Sequence, residues 1–185
     1  MNTVAIAGQI AEESPRFRAR IAGVFYLLTF VMGLYALLVR SRFSFAAGII
    51  AAACYVVVTL LFYYMFKPVN KRLSLLAALI SLAGCIIGPV GLLVRAAAYI
   101  NPLVFFGVYC LLIGYLIFRS TFLPQILGVL MAFAGLGWLT FLSSPLANYL
   151  SPYNMVPGLL GEGSLTLWLL VVGVNEQKWK ESRVQ

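Results

Sequence analysis

The 185 residues are 63% hydrophobic and 10% charged, with a mean hydropathy of +1.00, which excludes a water-soluble domain built from amphipathic elements. The formal net charge is +8, yet Lys and Arg also gather in the cytoplasmic loops of membrane proteins, so no nucleic acid is expected as a partner. Histidine is absent, which removes the commonest metal ligand and the usual general base at neutral pH.

The chain opens with residues 1–20, a cytoplasmic lead-in in which Ser14-Pro15 starts a helix that carries Arg16, Arg18 and Arg20 into the first apolar run. Apolar runs then follow at about 21–39, 45–66, 73–98, 103–118, 125–142 and 155–174, and residues 175–185 form a charged cytoplasmic tail. A bilayer core about 30 Å thick needs about 20 apolar residues per crossing, so these runs predict six transmembrane helices. Backbone polar groups in hydrocarbon must be satisfied within the segment, and no period-2 alternation suggests a barrel. The fold class expected is therefore all-α, a polytopic membrane bundle formed by residues 21–174. Run 21–39 exceeds a signal-peptide core, and Arg40-Ser41-Arg42 replaces a small-residue cleavage site, so it is expected to be retained.

Orientation follows from the basic residues. With a cytoplasmic N-terminus, Arg16, Arg18, Arg20, Lys67, Lys71, Arg72, Arg119, Lys178, Lys180 and Arg183 lie inside, against Arg40, Arg42 and Arg95 outside. Both termini are then cytoplasmic, and the uncharged segment 143–157 reads as the longest loop, on the outer side.

Glu162 is the acid within a span, and an acidic side chain near mid-helix costs about 2.5–3.5 kcal/mol on insertion scales unless it faces the bundle interior with a partner. Arg95 falls in the same leaflet. The expected intramembrane polar site is Arg95 with Glu162, sharing a small cavity with Asn101, Tyr99 or Asn154. The bland alternative is a register-fixing ion pair, or an Arg95 that snorkels to the interface. Gly84-x-x-x-Gly88 and Gly128-x-x-x-Ala132 permit close helix contact, and Pro89 is expected to kink the third span. Trp138, Tyr149, Tyr153 and Trp179 read as interfacial anchors. Cys54, Cys85 and Cys110 lie in apolar runs without CxxC spacing, so neither disulfides nor a metal site are expected.

Several stretches, in this order, resemble a family of small bacterial membrane proteins known as domain of unknown function 4386. They are Arg20-Ile21-Ala22-Gly23-Val24 with Tyr26-Leu27, Gly114-Tyr115-Leu116, Arg119-Ser120, Leu123-Pro124, Ile126-Leu127-Gly128-Val129-Leu130, Gly161-Glu162, Leu167-Trp168-Leu169-Leu170 and Gly173-Val174. The resemblance covers about residues 16–175. It implies six helices in a bacterial cytoplasmic (inner) membrane, and it assigns no activity. The residues themselves point to a non-enzymatic membrane component or subunit, without catalytic residues, cofactor or metal. Its partners would be the lipid bilayer and another membrane protein or a second copy. The alternative is a small transporter or channel built on Arg95 and Glu162.

Overall fold

The computed structural model describes residues 14–39, 42–94 and 101–182. Its elements are helical throughout: α1 (Pro15–Leu38), α2 (Ser44–Phe66), α3 (Lys71–Val94), α4 (Leu103–Arg119) and α5 (Gln125–Leu139), which continues as a 3-10 turn over Thr140–Leu142. Then come α6 (Ser144–Leu150), a second 3-10 turn at Tyr153–Met155, α7 (Val156–Val171) and α8 (Glu176–Glu181). The helices break where the sequence supplies turn chemistry. Asn70 Oδ1 accepts the Leu73 N–H at 3.0 Å and starts α3, while Pro124 sets the extended residue before α5.

Four helical stretches are long and apolar enough to cross a membrane: Pro15–Ala36, Ser44–Phe66, Lys71–Gly88 and Gln125–Leu142. The helices are apolar on their outer faces as well as inside. On α5, for example, Ile126, Val129, Phe133 and Leu136 form an exposed stripe, opposite the buried Leu127, Met131 and Ala134. In water such a stripe would be an unmanaged apolar patch, whereas hydrocarbon solvates it without cost.

Six helices form a closed ring. Helix α1 packs on α2, α2 on α3, α3 on α4, α4 on α5, α5 on α7, and α7 returns to α1. One end of the ring holds every described Lys and Arg except Arg42. At this basic end Arg20 donates to the Val171 carbonyl at 3.2 Å and the Ser14 hydroxyl donates to Glu176. The core there is filled by large side chains, among them Phe62, Phe66, Ile113, Ile117 and Leu169. Helices α4 and α5 meet most closely through glycine. A Cβ on Gly114 would lie 2.7 Å from the Gly128 carbonyl oxygen, and one on Gly135 would lie 2.8 Å from that of Gly107. Of the two small-residue pairs expected to make close contacts, Gly128 does so. Gly84 abuts Phe105 and Phe106 of α4, whereas Gly88 keeps ordinary clearance.

Three expectations are corrected or refined. The segment 143–157 is not a loop: Ser143 precedes a helical turn with Pro145 in its first residues, and Pro157 likewise opens α7. Proline at the start of a helix lacks an N–H that would have gone unpaired there, so prolines that read as loop formers instead begin two helices. The backbone stays helical through Pro89. The tail carries α8, started by Asn175, whose side chain accepts the Lys178 N–H at 3.1 Å. Gly173, at φ 76°, turns the chain back toward it, and Trp179 donates to the Met65 carbonyl at 3.0 Å.

Candidate functional site

One face of α7 carries Gly158, Gly161, Glu162, Leu165, Thr166 and Leu169 into the ring, at helical spacing. The two glycines let α7 lie against α5. A Cβ on Gly161 would fall 2.2 Å from the Leu130 carbonyl oxygen, and one on Gly158 would fall 2.2 Å from the Trp138 ring. The Trp138 indole therefore occupies the space that a side chain at 158 would need. From there its Nε1–H donates to Glu162 Oε1 at 2.5 Å.

The other carboxylate oxygen is met from the opposite side of the ring. Tyr26 of α1 donates its hydroxyl to Glu162 Oε2 at 2.5 Å, and Tyr55 of α2 donates to the same oxygen at 3.4 Å. The phenols are held in place by ring packing. Tyr26 meets Tyr55 and Phe62 edge-on at 5.5 and 5.9 Å and stacks on Phe30 at 5.6 Å, while Tyr55 meets Phe106 at 4.8 Å. Side chains of three other ring helices, α1, α2 and α5, thus converge on a single acid that is 5% exposed. Among the described residues every group that reaches it is a neutral donor.

Glu162 and its partners form the floor of a cavity of about 700 Å³ in the half of the ring away from the basic end. The walls are apolar, with Phe30, Ile49, Ala52 and Phe106 among them. At the rim Leu34, Phe45 and Leu159 line the cavity and are also exposed on the outer face, so it opens at the surface of the bundle. Gly33 and Gly48 border the same space, and a Cβ on Gly33 would meet nothing within 4 Å.

Of the residues expected to form a polar site, Glu162 is central. Arg95 and Tyr99 lie outside the described residues. Asn101 is elsewhere: its Oδ1 accepts the Leu103 N–H at 3.0 Å, and it borders a second cavity, of about 440 Å³, with Asn148 and Ser151. Asn154 is buried, but its amide donates to Thr140 Oγ1 and to the Ala147 carbonyl, each at 3.4 Å, and so ties the second 3-10 turn to α5 and α6. The residues that do surround the acid are Tyr26, Tyr55 and Trp138. Tyr26 and Tyr55 each lie inside an apolar run, where a phenol has no water to satisfy it, and that is the signal that links them to the acid. Trp138 is not an interfacial anchor, because its N–H is committed to Glu162.

The model of the family described as domain of unknown function (DUF4386) matches residues 40–100 and 92–173, which together span most of the chain and include Tyr55, Trp138 and Glu162. The chain belongs to this family. A relative of the DUF4386 protein is an uncharacterized protein of Archaeoglobus fulgidus, 28% identical over 127 residues that cover 64% of this chain and 76% of its own. That organism is an archaeon, so likeness to the family does not by itself place a member in bacteria. No solved structure matches.

Proposed function

We propose that the protein is a non-enzymatic component of a prokaryotic cytoplasmic membrane, the bacterial inner membrane included, that crosses the bilayer six times and holds a small molecule with apolar groups in the cavity above Glu162. The observation that carries this reading is the cavity itself, which has the size and apolar lining of a small-molecule site and a few convergent polar groups at one end. Helices α4 and α7, with 17 and 16 residues, are shorter than the usual span. Each sits in the ring between apolar stretches long enough to span, Lys71–Gly88 and Gln125–Leu142 beside α4 and Gln125–Leu142 and Pro15–Ala36 beside α7, which supports six crossings. The gathering of Lys and Arg at one end supports placing that end, and both termini, in the cytoplasm.

The test uses the full chain purified in a nonionic detergent and the neutral fluorophore N-phenyl-1-naphthylamine. Saturable binding is expected, together with energy transfer from tryptophan, because Trp138 lines the cavity. The double variant Gly33→Leu, Gly48→Leu puts side chains into open space and should abolish saturation while the protein still elutes as the folded species. Unsaturable uptake, identical in both proteins, would refute the cavity as a binding site.

A further inference from the structure

The same cavity has one charged side chain among its described lining residues, the acid Glu162. We infer that its ligand is a lipophilic cation, an amphipathic amine or onium compound, whose positive centre settles against Glu162 inside a cage of aromatic rings. The inference rests on the cavity reading above and adds the ligand's chemistry.

Three observations carry it. First, the charged group that reaches the cavity is an acid: among the described lining residues there is no Lys or Arg. A ligand with a carboxylate or phosphate would meet Glu162 with like charge and find no counterion among the described residues, whereas a cation supplies the opposite charge that a buried carboxylate needs. Second, the polar hydrogens on the floor are already spent. Tyr26, Tyr55 and Trp138 all direct their donors at Glu162, so they are not free to bind an anionic or carbonyl headgroup. Third, the lining around the acid is aromatic. Tyr26, Phe30, Tyr55, Phe106 and Trp138 line one space, and aromatic faces attract positive charge most strongly where water is excluded. The walls beyond them take up the ligand's apolar groups, and the rim at Leu34 and Leu159 lies on the outer apolar face.

A matched pair of probes tests the charge term apart from shape: tetraphenylphosphonium and tetraphenylborate, which share size and geometry and differ in sign. Equilibrium dialysis against the full chain in nonionic detergent should show saturable binding of the phosphonium at least about tenfold tighter than of the borate. This is the reverse of what the net charge of +8 alone would favour. Glu162→Gln should weaken phosphonium binding by about tenfold and narrow the gap between the two ions, since it removes the charge and keeps the shape. Equal binding of the two ions by the unmodified protein would overturn the inference, and that comparison needs no variant to fold. So would phosphonium binding that is unchanged by Glu162→Gln. If the naphthylamine also fails to saturate, the cavity reading falls; if it saturates while the ions are not distinguished, only the cation falls.

Discussion

At Glu162 two requirements meet that pull in different directions. Burial of a carboxylate is costly, and the structure offsets the cost with directed donors from three separate helices. Removal of the Trp138 donor leaves Oε1 without its partner, and removal of the Tyr26 donor leaves Oε2 only the longer bond from Tyr55, so each should cost about 1–3 kcal/mol. Trp138→Phe and Tyr26→Phe are therefore each expected to lower the thermal midpoint in detergent, and the double variant by less than the sum, because both act on one acid. An effect within experimental error for either single change would mean that its hydrogen bond contributes nothing. Gly158→Ala addresses the same point from the backbone side: a methyl group there collides with the indole, so Trp138 must leave and its fluorescence should become more accessible to an aqueous quencher. The acid was legible in the sequence because charge inside an apolar run is conspicuous. Its partners were not, since Tyr and Trp serve equally as bilayer anchors, and only the register of α1, α2 and α5 around α7 distinguishes the two roles.

At the level of helices, the ring is held by how closely pairs can approach. Helices α4 and α5 touch backbone to backbone at Gly107–Gly135 and Gly114–Gly128. Gly114→Leu should force them apart, costing about 1–3 kcal/mol or more, read as a lower unfolding temperature in detergent. By contrast Gly33→Ala meets open space and should be neutral or stabilising by up to about 1 kcal/mol, from the gain in helix propensity. Had both changes the same effect, helix propensity rather than contact would govern. Helix positions were readable from runs of apolar residues, because bilayer thickness sets their length. Segment 143–157 was misread because its prolines and asparagines suit a loop as well as a first helical turn, and local composition does not say which. Asn154, expected near the acid, instead satisfies the turn that replaces that loop.

For the molecule as a whole, closure of the ring puts α1 beside α7 and the first described residue beside the tail, as the contact of Ser14 with Glu176 records. On the proposed six-span topology, reporter fusions at Met1 and Gln185 should both respond as cytoplasmic, and opposite responses would remove a crossing. The sequence offers that expectation through charge asymmetry alone. It could not carry the hollow upper half, because a cavity is a property of how six helices fail to fill a space, and no single run encodes that.

The wall that closes the ring is also the last to be synthesised. Tyr26 leaves the ribosome more than a hundred residues before Glu162, so for most of synthesis its hydroxyl lacks its mature acceptor. A nascent chain halted before α7 holds five of the six ring helices and has no Glu162 to gather the phenols around. Completion of this protein is thus a single late event: the arrival of one carboxylate among rings that were placed before it.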